Sequence, residues 1–367
     1  MAQGKMYDPI AKNQSNILAL PRQFPLDSYY KRLNDGLERY GWKVSQFTYR
    51  RALINRYRIL HLHFPELLVG NPLKVVVALR RVVNICCLLV IARVRRSKII
   101  WSLHNLVSHE QFHPWLESAF LQWLSAQVSM SIHMSDTGRL AAYKLYPLLK
   151  RRPSVVIPLM HFGDSYDNLP SFVEARRQLG LTCDLRVILF LGQIRKYKNV
   201  PDLIRTFCVL SERDLRLFIV GQPIEATLED EVRAAASDQR IELYLQTASV
   251  DAVKTYMAAA SLVVAPYSKV LNSGSALLAL TNNRPILLPN RGAMAELQSI
   301  VGKDWVRIYE PPLTPETLSD ALAWAGFSRP PGPDLRHFSP ESIVERHHIV
   351  FSNLLRRRRV SAPQYRG

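Results

Sequence analysis

The sequence predicts an α/β protein built from two βαβ domains whose parallel sheets face a central cleft. Strand-like apolar runs alternate with helix-like segments along most of the chain, which is typical of parallel sheets. The 367 residues, 48% of them hydrophobic, are enough for two domains of ordinary size. A polar stretch interrupts the alternation, and we expect a linker there. The expected divisions are an N-terminal domain over 1–165, the linker over 166–184, a C-terminal domain over 185–335, and a C-terminal helix with a basic tail over 336–367.

In the N-terminal half, short aliphatic runs bounded by polar residues predict strands, and longer segments with helical periodicity predict helices. The predicted strands are 16–20, 59–63, 98–103, 128–132 and 155–158, and the predicted helices are 28–40, 72–92 and 114–126. In the C-terminal half, the predicted strands are 186–191, 215–220, 241–245, 262–266, 285–288 and 306–309, followed by an amphipathic stretch over 340–355.

The charge of the chain indicates an anionic partner. A formal charge of +18 and a pI near 9.9 suit nucleic acid, acidic lipid or a phosphorylated substrate. The sequence has no zinc-ligand spacing, aromatic RNA-recognition motif or basic leucine zipper, so nucleic acid is not the expected partner.

Two loops in the second half predict a diphosphate site. The segment GQIRKYKN (192–199) follows the strand 186–191, and the segment NSGS (272–275) follows the strand 262–266. Ligands of open α/β sheets bind at this carboxyl edge. Arg195 and Lys198 can reach phosphate oxygens, and no Asp-x-Asp pair follows a strand, so no metal is expected. A solvated basic loop is the alternative interpretation.

The second loop opens an apolar helix, where backbone N–H groups and hydroxyls suit phosphate or sugar oxygens. Gly274 permits close backbone approach. An ordinary capped helix is the alternative. Glu296, after the next strand, can accept hydrogen bonds from a ribose, or can interact only with a helix dipole. The expected donor-binding residues in this loop are Asn272, Ser273, Gly274 and Ser275.

Four segments in collinear order carry a resemblance to a known family. They are LHLHFPE (60–66), LHNLVSHE (103–110), GQIRKYK (192–198), and the stretch 266–285, which contains NSG (272–274) and ends in RP (284–285). The chain resembles GT-B glycosyltransferases, most closely the bacterial xanthan-type GDP-mannose:glycolipid β-1,4-mannosyltransferases. The resemblance implies two Rossmann-like domains, a metal-independent hexosyltransferase, GDP-mannose as donor, a polyprenyl-diphosphate-linked oligosaccharide as acceptor, and exopolysaccharide biosynthesis. It adds Gly192, Tyr267 and His104 to the expected donor site.

The chain departs from the family pattern in two places. Lys196 stands where relatives often carry proline, so the donor sugar or base can differ. Retaining relatives carry two glutamates eight residues apart where this chain has Asn272 and Leu280. An inverting transfer therefore fits better. A transferase using a UDP-sugar such as UDP-glucuronate, and a noncatalytic nucleotide- or phosphoglycan-binding homologue, remain alternatives.

Inverting transfer needs a general base beside the acceptor hydroxyl. Glu110, paired with His109, is the first candidate, and Glu66 is the second. His61 and His63 alternate with leucines on a strand, so one of them can be a hydrogen-bonded core residue. Asp136 and Asp27 are further candidates for the base.

The helix predicted over 72–92 is apolar and rich in arginine, which suggests contact with a membrane. The longest apolar run, 82–94, is shorter than the roughly 20 residues that span a bilayer. No acidic residue lies between Lys74 and Lys98, which favours an anionic bilayer surface. The N-terminus lacks a secretory signal pattern. We therefore expect a cytoplasmic protein, peripheral at the inner face of the cell membrane. A core-facing helix with snorkelling arginines is the alternative.

Overall fold

A computed structural model describes residues 16–22, 28–69, 74–108, 112–166 and 168–356. The chain divides into two compact units. Unit one comprises Met1–Met160 together with Pro340–Gly367, and unit two comprises His161–Ser339. Each unit contains a six-stranded sheet whose neighbouring strands all run parallel. The prediction of two parallel-sheet domains is therefore confirmed.

Unit one has the strand order β2-β1-β3-β4-β5-β6. Its strands are β1 (Asn16–Leu20), β2 (Lys43–Gln46), β3 (Ile59–Leu62), β4 (Lys98–Leu103), β5 (Met130–His133) and β6 (Ser154–Val156). Its helices are α1 (Ser28–Arg39), α2 (Tyr49–Ile54), α3 (Val75–Val94), α4 (Pro114–Gln127), α5 (Asp136–Leu145) and α13 (Pro340–Leu355). The sequence did not predict β2, a short polar edge strand, or α2, which has only six residues.

Alternate residues of the unit-one strands pack into two apolar cores, one on each face of the sheet. One core contains Trp101 of β4 with residues of α3 and α4. The other contains Ile100 of β4 with residues of α1 and α13. The C-terminal helix therefore belongs to unit one, and is not the separate segment expected over 336–367. Gly36 permits this contact, because a Cβ there would lie 2.6 Å from Cγ2 of Val344.

Helix α3 is longer than its longest apolar run suggests. It has 20 residues and, within the described part of the chain, is long and apolar enough to cross a bilayer by length and composition. The sequence-based argument that this segment is too short was therefore wrong, since the helix continues through Arg80 and Arg81 to Val75. About a third of the apolar window is buried against unit one (33%).

Unit two has the strand order β12-β11-β10-β7-β8-β9. This is the doubly wound order, with its topological switch point between β7 and β10. The strands are β7 (Arg186–Leu191), β8 (Leu215–Val220), β9 (Ile241–Tyr244), β10 (Leu262–Val264), β11 (Ile286–Pro289) and β12 (Val306–Tyr309). The helices are α6 (Phe172–Gln178), α7 (Val200–Cys208), α8 (Ala226–Ala235), α9 (Val250–Ala259), α10 (Gly274–Thr281), α11 (Met294–Val301) and α12 (Pro315–Ala325).

The linker expected over 166–184 instead includes α6, which packs within unit two. Ala175 of α6 and Ala258 and Ala259 of α9 form a small buried core. Arg176 is 1% exposed, and its Nη1 donates to the carbonyls of Thr182 and Leu185. The sequence did not predict this helix, because the stretch is polar in composition. Its arginine is nevertheless buried, since backbone carbonyls accept the hydrogen bonds that solvent would otherwise accept.

Candidate functional site

The two loops singled out in the sequence follow the adjacent strands β7 and β10, at the switch point of unit two. Two hydrogen bonds join the first loop to the segment that leads from β10 to the second loop. The backbone N–H and the hydroxyl of Ser268 donate to the carbonyl of Tyr197, at 2.8 Å and 3.0 Å. The structure therefore brings the two loops together at the edge where doubly wound sheets bind nucleotides.

Gly192, Lys198 and Ser275 converge at the centre of this edge. A Cβ built on Gly192 would lie 3.1 Å from Nζ of Lys198 and 3.1 Å from Oγ of Ser275. Gly192 has φ +135°, a conformation that glycine adopts readily and other residues avoid. The ammonium and the hydroxyl thus face a space kept open by the missing side chain. We call these three residues the donor cradle.

Burial and charge make Lys198 an unusual cation. Burial, with a further contribution from the charge of Arg195, lowers its pKa to about 8. Nζ lies 5.5 Å from the ring centroid of Tyr267. The buried Tyr267 hydroxyl is hydrogen-bonded to the side chains of Ser275 and Ser273, and burial raises its pKa to about 12. Tyr267 is thus uncharged at neutral pH, and it holds the hydroxyls of Ser273 and Ser275 near the Lys198 ammonium.

Arg195 lies on the same loop with its guanidinium directed by a neighbour. Its Nε and Nη2 donate to Oε1 of Gln193, at 3.1 Å and 3.0 Å. After Lys198 the chain turns through Asn199 in the left-handed region, with φ +57°, and Pro201 occupies the first turn of α7. Asparagine tolerates this conformation, and proline suits a helix start.

The second loop leads into α10, which is capped by Ser273 and has free space beside Gly274, its first residue. Oγ of Ser273 accepts a hydrogen bond from the backbone N–H of Ala276 at 3.1 Å. A Cβ on Gly274 would meet no atom within 4 Å. Asn272 precedes the cap. The amino end of α10 thus points its dipole toward the loop while leaving room above the backbone, as an anion site requires.

Glu296 lies half-exposed in the first turn of α11. The turn before α11 is tied to the second loop, because the backbone N–H of Ala293 donates to the carbonyl of Leu271 at 2.9 Å. Gly292, with φ +55°, allows this approach, since a Cβ there would be 2.1 Å from the Val270 carbonyl. Glu296 therefore belongs to the same sheet edge as the donor cradle.

In unit one, Glu66 lies directly after β3 and is 2% exposed. Burial raises its pKa to about 8, against the opposing effects of a backbone hydrogen bond and a hydrogen bond with the Asn105 side chain. Its Oε1 is buried and has no hydrogen-bond partner among the described residues. A carboxyl group with these properties can take up a proton near neutral pH.

The histidines of β3 and β4 form a buried cluster. Nδ1 of His63 and Nε2 of His104 are 3.0 Å apart, and Nε2 of His61 is 2.8 Å from Oγ of Ser102. Burial lowers the pKa of His104 to about 3 and those of His61 and His63 well below the usual value. Both strand histidines are therefore core residues. His104, expected to contact the donor, is a neutral imidazole and can offer hydrogen bonds but no charge.

His109 and Glu110 lie outside the described residues, as does Asp27. The segment just before them is held by a residue that the sequence did not single out. Glu117 of α4 accepts hydrogen bonds from the backbone N–H of Ser108, at 2.6 Å, and from its hydroxyl. The Tyr146 hydroxyl donates to the Leu106 carbonyl. Only proximity in space reveals this role of Glu117. Asp136 instead pairs with Arg139 at the start of α5.

Comparisons with known proteins identify the family of this chain. Residues 185–325 match the family model described as glycosyl transferases group 1. The chain is 30% identical over 313 residues to a GDP-mannose:glycolipid 4-beta-D-mannosyltransferase of Xanthomonas campestris pv. campestris, covering 84% of this chain and 83% of that protein. A second Xanthomonas campestris pv. campestris protein with the same name is 29% identical over the same length.

Solved structures show the same fold at low identity. Sucrose-phosphate synthase from Thermosynechococcus elongatus superposes with a TM-score of 0.70 at 14% identity, covering 94% of this chain and all of that one (100%). Anabaena HepE in complex with UDP gives 0.64 at 14% identity, with 93% and 100% coverage. WaaG, a glycosyltransferase involved in lipopolysaccharide biosynthesis, gives 0.61 at 14% identity, with 91% and 99% coverage. The chain belongs to the glycosyltransferases, in the family of the Xanthomonas mannosyltransferase, and has the GT-B fold.

Proposed function

We propose that this glycosyltransferase moves mannose from GDP-mannose, with inversion, onto a polyprenyl-diphosphate-linked oligosaccharide during exopolysaccharide biosynthesis. The observation that supports this best is the relatives' name, which specifies GDP-mannose, a glycolipid and a 4-beta linkage. The donor cradle and the amino end of α10 agree with a nucleoside diphosphate, since together they supply a cation, hydroxyls and backbone N–H groups.

In this proposal the donor cradle binds the diphosphate and stabilises it as it leaves. The bond between the sugar C1 and the phosphate oxygen breaks, and negative charge grows on that oxygen. Lys198, the Ser275 hydroxyl and the N–H groups opening α10 supply compensating charge without a metal ion. Binding of a phosphate group favours the protonated form of Lys198, which offsets the effect of burial on its pKa.

The acceptor hydroxyl becomes the nucleophile and must lose its proton to a base. We place that base on unit one. Glu66 is the candidate within the described residues, because one of its carboxyl oxygens has no partner there and its pKa is about 8. About a tenth of it is then ionised at pH 7, and that carboxylate is a stronger base than an ordinary glutamate. Glu110 with His109 remains the other candidate, next to the segment that Glu117 holds.

We further propose that unit one lies on the anionic inner surface of the cell membrane through α3. Val76 and Val94 are 77% and 78% exposed, and the helix carries Arg80, Arg81 and Arg93 on an otherwise apolar sequence. Valines suit the acyl boundary, and arginines suit anionic headgroups. Such a location gives access to a lipid-linked acceptor.

Calorimetry with GDP, UDP and ADP, without metal, tests the donor assignment. We expect selective GDP binding that is lost in Arg195→Ala, together with mannose transfer from GDP-mannose to a glycolipid acceptor. Selective UDP binding would replace GDP-mannose with a UDP-sugar such as UDP-glucuronate. Binding of no nucleotide would remove the donor cradle from the proposal.

Flotation with phosphatidylglycerol-containing vesicles tests the membrane assignment. Val76→Glu with Val94→Glu should abolish flotation. Val209→Glu, at an exposed valine of unit two (68% exposed), is the matched control and should leave flotation unchanged. Flotation retained by the double variant would contradict docking through α3.

A further inference from the structure

A second cationic pocket lies in unit two, away from the donor cradle. It has a volume of about 260 Å³, near the lower end of the range for small-molecule sites. Three arginines line it, and no carboxylate is among its lining residues. Its polar lining consists of Arg186, Arg284, Arg329, Ser261 and Asn283.

The pocket lies at the amino edge of the sheet, opposite the donor cradle. Arg186 is the first residue of β7, and Ser261 directly precedes β10. Gly192, in contrast, follows the last residue of β7. The six residues of β7 separate the two edges by about 20 Å, at roughly 3.3 Å per residue. A small ligand in this pocket therefore cannot touch the donor cradle.

The arginines are held in place with donors to spare. Arg284 donates from Nε to the Asn282 carbonyl and from Nη1 to the Ala260 carbonyl, at 3.2 Å each. Its Nη2 makes no hydrogen bond within the described residues. Arg329 donates one hydrogen bond from each nitrogen to a backbone carbonyl, which leaves a second N–H on each Nη. Each of these two arginines is thus held in position and keeps N–H groups that can donate to a ligand.

Aromatic rings and a buried arginine reinforce this arrangement. The Arg329 guanidinium lies 5.5 Å and 5.4 Å from the ring centroids of Trp305 and Trp324. Behind the pocket, Arg176 donates to Oγ of Ser261 at 3.2 Å. Burial, with the charges of Arg176 and Arg329, lowers the pKa of Arg284. The arginines are therefore close enough to repel one another.

Of the three lining arginines, Arg186 is paired with a carboxylate, whereas Arg284 and Arg329 make their hydrogen bonds to backbone carbonyls. Asp214 pairs with Arg186 through Nε and Nη2, at 2.6 Å and 2.9 Å, which leaves Nη1 available. Asp304 and Asp184 act on Arg329 and Arg176 only at longer range, and neither lines the pocket. Like charges gathered in a partly dehydrated space favour binding of an anion.

We propose that this pocket is a second ligand site that binds a small phosphate ester through Arg284 and Arg329. Guanidinium groups match the several oxygens of a phosphate group with paired N–H donors. The apolar side chains of Pro285 and Leu322 in the lining give room for the carbon skeleton of the ester. The site is separate from donor binding and does not depend on which nucleotide the donor cradle accepts.

Calorimetry on the full chain carrying Lys198→Met tests this, because that change removes the principal phosphate-binding cation of the donor cradle. The probes are inorganic phosphate and mannose 6-phosphate, and wild-type protein saturated with GDP serves as a second background. We expect mannose 6-phosphate to bind in both backgrounds, and more tightly than inorganic phosphate. Arg284→Gln should weaken it about tenfold to a hundredfold, as loss of a charge-assisted hydrogen bond does.

Asn283→Asp provides a variant that keeps every arginine. Asn283 is exposed, with φ +53°, a conformation that aspartate also tolerates, so the new carboxylate should repel the ligand without unfolding unit two. Asn168→Asp is the matched control, since Asn168 is exposed with φ +58° and does not line the pocket. Absence of binding in both backgrounds, or equal binding by Asn283→Asp and Asn168→Asp, would overturn the proposal.

Discussion

The two units share a six-stranded parallel sheet but differ in strand order and in the electrostatics of their carboxyl edges. In unit two, β7 and β10 end beside Lys198, Ser275 and the space left by Gly192. In unit one, β3 and β4 lead into Glu66 and His104, both buried. One edge offers charge and open space, whereas the other holds proton-binding groups in their neutral forms. In both units polar groups collect where parallel strands end, while burial decides what chemistry those groups can perform.

Burial acts differently on the two edges because its extent differs. Lys198 is half-buried and keeps a pKa of about 8, so it remains largely protonated at neutral pH. His104 is enclosed, and its pKa falls to about 3. Glu66 is enclosed as well, and its pKa rises to about 8. A diphosphate therefore suits unit two, and proton transfer suits unit one.

The largest expected effect is selective acid unfolding of unit one. Burial lowers the pKa of His104 to about 3 and that of His347 to about 4, from about 6.5 when unfolded. Below pH 6.5 the unfolded chain binds protons that the folded chain does not. Stability is therefore present above pH 6.5 and is lost as the pH falls toward these values, at about 1.4 kcal/mol per pH unit for each histidine.

Acid incubation followed by a hydrogen-exchange pulse at fixed pH, read by mass spectrometry, measures both units at once. Peptides from unit one should lose protection between pH 6 and pH 4. Unit two is the internal control, because its two histidines, His161 and His337, are absent from its buried residues. Equal loss in both units would break the contrast between the two edges.

Glu66→Gln should change the stability of unit one with the opposite pH dependence. The folded pKa of Glu66 is about 8 and its ordinary value is 4.5, so between these values the folded chain holds the extra proton. Wild-type stability from this group is present below pH 4.5 and is lost as the pH rises to about 8. The variant should gain about 1.4 kcal/mol relative to wild type per pH unit across that window.

Urea unfolding at pH 5 and pH 7, followed by the same exchange pulse, checks this difference. Turnover of the same variant then separates two roles for Glu66. A base that accepts the acceptor proton would lose about a hundredfold or more in kcat on substitution. An unchanged kcat with the expected stability gain would leave Glu66 as a structural group and move the base to Glu110.

Lys198→Met should weaken nucleotide diphosphate binding about tenfold to a hundredfold, because it removes a charge-assisted hydrogen bond. Lys196→Met is the matched control, since Lys196 is an exposed lysine two residues earlier in the same loop. Calorimetry with GDP measures both. Equal losses in the two variants would mean that the loop acts through general positive charge, and that the donor cradle has no special geometry.

The sequence predicted unit two better than unit one. The residues predicted to bind the donor lie in two short loops after apolar strands, so strand order and loop chemistry were enough to propose that they meet. In unit one, the properties of Glu66 and His104 depend on how deeply neighbouring side chains enclose them. The role of Glu117 depends on a contact between α4 and the segment at Ser108. Such contacts join elements by packing, which no local pattern records.

The domain boundaries show the same limit. Helix α13 closes the second core of unit one through Val344, which fits against α1 only because position 36 is glycine. Neither residue carries a signal of the other in the sequence. Helix α6 was missed for a related reason. Its buried face includes the charged residue Arg176, so the sequence shows no apolar face there.

The smallest expected effect is that of Gly192→Ala, and it tests whether the donor cradle works through open space. The new Cβ would crowd Nζ of Lys198 and Oγ of Ser275, and φ +135° is strained for alanine. Gly180→Ala separates these causes, because Gly180 has φ +67° and a Cβ there meets no atom within 4 Å. We expect Gly180→Ala to lose about 1 kcal/mol of stability and Gly192→Ala about 1 to 3 kcal/mol, but only Gly192→Ala to weaken GDP binding, by about tenfold. GDP binding unchanged in Gly192→Ala would show that the diphosphate does not enter this space, and the contrast between the two sheet edges would then rest on charge alone.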